Sequence, residues 1–299
     1  MSRSFFSTTG SFRLAGSLFI LVVSFASGSA QQTGEAKRPA LDLEGNKVFA
    51  KAILLDKVNS QLDSWAKNGG KYEPNMLDYS VHQLVGFMSS HGYLQAKVSQ
   101  GNVEQTEAGP RVLLTVDEGP IYRVGKVTVE GARLITPEQV LDEIGLKTGN
   151  VANGEKLSDG LFQRLRVRYA KFGYIQYTAE VVPTFHAEKD AAEGVVDFAL
   201  TIDEGEQFRI RSLKIAGADK ALTDSLTREL MLRAGDIFDD ELFHESVIRM
   251  NRTGLVDPID SEKDVEFTDN LRKSLDEGPP VLDLVIHVKK SSALAARQH

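Results

Sequence analysis

The chain has 299 residues, 41% hydrophobic and 26% charged, so it has enough apolar content to build cores and wholesale disorder is excluded. Its net charge of −7, with acids and bases interspersed, excludes the basic face of a nucleic-acid binder and a polybasic grip on anionic lipid. The lack of cysteine excludes disulfides, thiolate metal sites, thiol catalysis and a lipid-modified N-terminal cysteine.

In chain order, residues 1–30 read first, as an export signal. Arg3 and Arg13 make a positive start free of acids, Leu14–Phe25 is a short apolar core, and Ala26-Ser27-Gly28-Ser29-Ala30 supplies small residues before Gln31-Gln32. The apolar core falls short of the ~20 residues a spanning helix needs. Cleavage after Ala30 is therefore expected, with the loss of both arginines taking the charge from −7 to −9. If the segment is retained, it becomes an anchor in the inner membrane. Residues 31–38 form a linker, and beyond it no apolar run approaches ~18 residues.

The rest of the chain repeats. Leu41-Asp42-Leu43-Glu44-Gly45 returns as Val127-Thr128-Val129-Glu130-Gly131 and as Leu213-Lys214-Ile215-Ala216-Gly217, with the glycines stepping by 86. Apolar residues two and four places before each glycine predict a half-buried strand, ended where the turn needs a permissive backbone. A later strand keeps the same step. Val112, Leu114 and Val116 share one face, followed by Val196, Phe198, Leu200 and Ile202, then by Leu282, Leu284, Ile286 and Val288. Polar residues take the other face: Arg111 and Thr115, Asp197 and Thr201, Asp283 and His287.

Two helices are expected between these strands. In the second copy Thr136-Pro137-Glu138 opens one helix, which stops near Gly145. The next runs from about Asn153 to Phe172 on an apolar stripe of Leu157, Leu161, Leu165, Tyr169 and Phe172, ending at Gly173. Leu77, Val81, Leu84, Val85 and Met88 precede Gly92 in the first copy, and Phe243, Val247 and Met250 precede Gly254 in the third. A further strand follows each glycine: Tyr93–Val98, Tyr174–Val182 and, more weakly, Leu255–Ile259 before a charged loop. Each module is thus strand, helix, helix, strand, strand. The boundaries fall at 39–119, 120–205 and 206–290, with a tail over 291–299. The links at Asp117-Glu118-Gly119-Pro120 and Asp203-Glu204-Gly205 are short, which predicts limited hinge freedom and an elongated row of three modules.

This order, with Gly-Tyr after the second helix and Glu-Gly closing the last strand ahead of Tyr122 or Phe208, resembles the POTRA repeats of BamA- and TamA-type outer-membrane assembly proteins. The resemblance covers about residues 37–290. It implies an α+β fold of three tandem POTRA-like βααββ modules, each a three-stranded mixed sheet with two helices on one face. It also implies a non-enzymatic scaffold in the periplasm, associated with the outer membrane through a partner. The implied partners are proteins: outer-membrane or secreted clients, or a separate barrel subunit. No cofactor, small-molecule ligand or nucleic acid is implied. Only nine residues follow Lys290, and Lys289-Lys290 replaces the closing Glu-Gly, so a barrel is not expected within the chain. The rival readings are a division-type POTRA protein anchored through residues 14–25 and a barrel protein cut short.

An open sheet edge accepts an extended segment as an added strand. In the resembled family that edge is the strand after the second helix, which here places partner contacts at Leu94, Ala96 and Val98 and at Ile175, Tyr177, Ala179 and Val181. Ile175–Val182 is the preferred edge, being longer and richer in β-branched and aromatic residues. The alternative is that a neighbouring module covers it.

Nothing assembles a catalytic constellation. The six histidines form no H-E-x-x-H, and neither G-x-S-x-G nor a phosphate loop occurs. Asp117-Glu118 and Asp203-Glu204 read as turn residues at the module joints, because neighbours on a strand face opposite ways. Tyr169, Phe172, Tyr174 and Tyr177 read as core and sheet packing. Asn251-Arg252-Thr253 reads as helix-end capping. Trp65 is either a surface anchor or docked between modules.

Overall fold

The computed structural model describes residues 37–67, 71–189, 191–270 and 278–291. The signal over 1–30, most of the linker and the tail from 292 lie outside the described residues. Among the described residues no helix is long and apolar enough to cross a membrane.

Three sheets follow one another along the chain. In the first module β1 (Ala40–Glu44) leads to α1 (Lys51–Lys67), α2 (Pro74–Ser90), β2 (Lys97–Gln100), β3 (Glu104–Thr106) and β4 (Gly109–Asp117). In the second, β5 (Ile121–Glu130) and α3 (Pro137–Ile144) lead to α4 (Gly154–Asp159), a π turn at Gly160–Arg164, α5 (Leu165–Ala170), β6 (Thr178–His186) and β7 (Glu193–Asp203). The third has β8 (Arg209–Ala216), α6 (Lys220–Thr227), α7 (Asp240–Arg252), β9 (Val265–Asn270) and β10 (Val281–His287). The last strand of each module lies in the middle of its sheet. It pairs parallel with the first strand and antiparallel with the strand after the helices. The fold is α+β, as the order of elements implied. Period-two alternation drives the central strands: Val112, Leu114, Val116, Val196, Phe198, Leu200, Ile202, Leu282, Leu284, Ile286 and Val288 are all buried. Each module has its own cluster of buried residues under its helices.

Three details depart from the expected pattern. The first sheet has four strand segments instead of three. β2 pairs with Leu114–Asp117 and β3 with Gly109–Arg111, so the two share one edge of β4, broken around Gly101. In the third module the strand after the helices is not Leu255–Ile259 but β9, inside what reads as a charged loop. Asn251 at the end of α7 holds Ile259 from both sides, accepting from its N–H at 2.8 Å and donating to its carbonyl at 3.0 Å. Pro258 lies in that same segment and has no N–H to give a ladder. The second helix of the middle module is interrupted by the π turn. Gly160 lies so close to α3 that a Cβ would stand 2.6 Å from the Ile144 Cα, and Arg164 reaches back to donate to the Glu143 carbonyl at 2.8 Å. The wider turn lets one helix close the C-terminus of the other.

The Glu-Gly pairs do more than turn the chain. Asp117 and Asp203 do sit in turns, accepting from the Gly119 and Gly205 N–H groups at 3.3 and 3.0 Å. Glu118 and Glu204, each 3% exposed, are turned inward. Glu118 accepts from the N–H groups of Lys47, Val48 and Phe49 at 2.9–3.3 Å. Glu204 accepts from Arg133 and Leu134 N–H at 2.6 and 2.7 Å and from the Tyr169 hydroxyl at 3.0 Å. Both carboxylates thereby fix the loop between first strand and first helix. In the third module the step of 86 brings Lys290, and not Lys289 as expected, to this position, with Ser291 in place of the glycine. There α6 starts three residues after Gly217, whereas α3 starts six after Gly131, so the stretch of loop amides that needs a carboxylate is missing.

The joints use the Gly92 and Gly173 turns. The Gly92 carbonyl accepts from Tyr122 N–H at 2.9 Å, and the Gly173 carbonyl accepts from Phe208 N–H at 3.0 Å. Asn153 donates to the Ser90 carbonyl at 2.7 Å, Gln207 to the Phe172 carbonyl at 2.9 Å, and Lys171 pairs with Glu241 at 2.7 Å. Leu94 is buried in the cluster of the second module and Ile175 packs on that of the third, so each module lends its successor one apolar side chain. A charge at Leu94 would be stranded there. Leu94→Asp is expected to destabilise the second module by about 3 kcal/mol while leaving the first sheet intact. Hydrogen exchange read strand by strand separates the two, and equal protection of β7 in both chains would refute the assignment.

Candidate functional site

Each sheet has two edges, and in the second and third modules one of them is closed by the chain itself. Gly149 N–H donates to the Val124 carbonyl at 2.7 Å, Val124 N–H to Asn150 at 2.9 Å and Ala152 N–H to Tyr122 at 2.8 Å, covering the first half of β5. The third module repeats this on β8: Gly235 to Ile210 at 2.7 Å, Ile210 to Asp236 at 2.8 Å and Phe238 to Phe208 at 3.0 Å. The edge left over belongs to the strand after the helices. Among the described residues no strand pairs with the outer side of β6.

The direction in which β6 presents its backbone follows from the ladder. In an antiparallel pair, residues alternate between pointing both polar groups at the partner and pointing both away. In the third module His287 N–H donates to the Asp264 carbonyl at 2.7 Å, and in the first Gly101 N–H donates to Leu113 at 2.9 Å. Stepping by 86, these carry over to Thr201, which faces Glu180, and Ala199, which faces Val182. Even-numbered residues of β6 therefore bond to β7, while Ala179, Val181, Pro183 and Phe185 turn their backbone groups outward. Their side chains belong to the other face. Ala179, Val181 and Phe185 pack on the core, whereas Thr178, Val182, Thr184 and His186 are exposed.

The expected contact residues divide accordingly. Ala179 and Val181 lie in β6 with outward backbone groups. Val98 lies in β2 in the corresponding outward phase, with its side chain buried. Ala96 is buried just before β2, its N–H turned back to the Tyr93 carbonyl at 3.1 Å. Leu94 and Ile175 are occupied at the joints. Tyr177 is buried in the turn before β6. Its hydroxyl donates to the Leu161 carbonyl at 3.0 Å and its ring stacks on Tyr169 at 4.6 Å. Burial pushes both phenols above their ordinary pKa, and the Glu204 carboxylate adds to the shift at Tyr169. The strand thus runs over 178–186 and not from Ile175, because the Gly173 turn first spends Tyr174–Tyr177 on a hydrogen-bonded turn and on the core. Phe172, expected in the core, is 47% exposed, and Trp65 on α1 is 50% exposed. Pro183 was legible in the sequence, but its importance depends on the ladder phase.

Comparison with known proteins bears on the whole array. The family model described as POTRA, surface antigen variable number repeat, matches residues 40–119 and 122–205. The chain is 26% identical over 237 residues to the outer membrane protein assembly factor BamA of Nitratidesulfovibrio vulgaris, covering 73% of this chain and 30% of that protein. It is 22% identical over 230 residues to BamA of Neisseria meningitidis serogroup B, covering 75% and 28%. The chain thus spans less than a third of the length of these relatives. Its fold resembles the crystal structure of Haemophilus influenzae BamA POTRA3-5, with a TM-score of 0.61 at 20% identity over 85% of this chain and 96% of that one.

Proposed function

Because the chain belongs to the POTRA family, we propose that it is a periplasmic protein-binding scaffold that takes extended segments of other proteins as an added strand along β6. The supporting observation is the pair of outward backbone positions at Ala179 and Val181 on an edge that, among the described residues, no other strand covers, in a module whose opposite edge is closed from Gly149 to Ala152. Recognition through backbone groups depends little on client sequence, which suits a protein that handles many clients. The relatives are named as outer-membrane assembly factors. A role for this chain in outer-membrane assembly or secretion, in contact with clients or a separate barrel subunit, is our extension from them. Its association with the outer membrane would then run through those partners.

The ladder phase selects the test. Val181→Pro removes an outward N–H without touching a bond to β7, whereas Glu180→Pro breaks the sheet itself. Val181→Pro is expected to keep its melting temperature within a few degrees and to lose clients that co-purify from envelope extracts. Undiminished capture by the folded variant would overturn the proposal.

A further inference from the structure

Pro183 interrupts the outer side of β6 three residues before its end at His186. Proline has no N–H, and its ring projects where an incoming carbonyl would have to sit. The phase carried over from the first and third modules turns this gap outward and not toward Phe198, which lies opposite it on β7. Before the gap, Ala179 and Val181 each offer an N–H and a carbonyl. Beyond it only Phe185 offers both.

Resting on the edge-docking reading above, we infer that Pro183 sets the docking frame. An incoming segment pairs with Thr178–Val182 and stops there, so the site takes a short extended segment instead of the full edge of nine residues. The side chains of the incoming strand on the outer face lie beside Thr178, Glu180 and Val182, of which Val182 is 42% exposed. The segment that fits has a β-branched or other apolar residue beside Val182 and a basic or polar one beside Glu180. The same proline keeps the long edge from pairing with a second copy, as prolines on natural sheet edges do.

The chain has no cysteine, so the frame can be mapped by mixed disulfides. The probe is a nine-residue peptide of alternating valine and threonine with lysine at each end and one cysteine at a threonine position. Single variants Glu180→Cys, Val182→Cys and Thr184→Cys place thiols along the outer face, and Asp224→Cys on α6 gives the background. In an equilibrating buffer of reduced and oxidised glutathione, whose disulfide serves as the oxidant, Glu180→Cys and Val182→Cys are expected to trap the peptide about fivefold more than Thr184→Cys. Adding Pro183→Ala, with folding checked by melting, is expected to raise trapping at Thr184→Cys about fivefold, the effect of one regained hydrogen bond. Equal trapping at positions 182 and 184 in the proline chain, or no gain on Pro183→Ala, overturns the frame but leaves edge docking standing. Trapping at background level at every β6 position, with and without Pro183→Ala, overturns edge docking and the frame with it.

Discussion

Glu204→Ala is expected to destabilise the second module by about 3 kcal/mol, a large part of what holds a domain of this size. The carboxylate is 3% exposed and is the shared acceptor for Arg133 N–H, Leu134 N–H and the Tyr169 hydroxyl. Removing it leaves three donors facing an apolar cavity, each costing about 1–3 kcal/mol unless water enters. Water entering beside Arg133, whose side chain is 80% exposed, offsets part of that sum. Glu204→Gln keeps an acceptor oxygen and is expected to cost about half as much, and Tyr169→Phe about 1 kcal/mol. Hydrogen exchange across β5 and β7 in increasing urea reads the second module separately from its neighbours. Unchanged protection in Glu204→Ala would show that the loop does not need its carboxylate. Transferring the third module's lysine, as Glu204→Lys, is expected to be worse than alanine, because the longer loop then faces a cation where its amides need an anion.

The second large effect is expected at the glycines that end the first strands. Gly131 has φ of +83°, and a Cβ there would stand 2.0 Å from the Ile202 carbonyl oxygen. Gly45 and Gly217 repeat this against Val116 and Val288 at 2.4 and 2.2 Å. The obstacle is therefore backbone of the central strand, which cannot move aside without breaking its ladder. Gly131→Ala is expected to cost about 4 kcal/mol, combining the left-handed conformation with forced separation of β5 and β7. Gly145 supplies the control. Its φ is +71°, but nothing lies within 4 Å of a Cβ, so Gly145→Ala pays only the conformational cost of about 1 kcal/mol. Similar melting temperatures for the two variants would mean that strand spacing gives way and the close approach costs little.

The two strand-ending residues compare instructively. The sequence shows the glycines at a step of 86 and suggests a turn, but not that a neighbouring carbonyl fills the space where a side chain would go. The sequence likewise shows Glu118 and Glu204, and chain position alone reads them as turn residues. Only folding reveals that the aspartate of each pair makes the turn while the glutamate swings inward to the loop 70 residues earlier in the chain.

Though β3 and the π turn at Gly160–Arg164 were not, the repeat, the central strands and the strand-helix-helix-strand-strand plan of each module were determined by the sequence alone. These follow from short-range physics: side chains alternate along a strand, recur every three to four residues on a helix, and glycine marks left-handed turns. The tertiary structure decided which edges are open, which backbone groups of β6 face outward, where β9 begins, and that Leu94 and Ile175 serve the next module. Each of these depends on a partner distant in the chain. Hydrogen-bond phase exists only once two strands are paired, and a strand as polar as Val265–Asn270 is formed by the central strand beside it more than by its own residues.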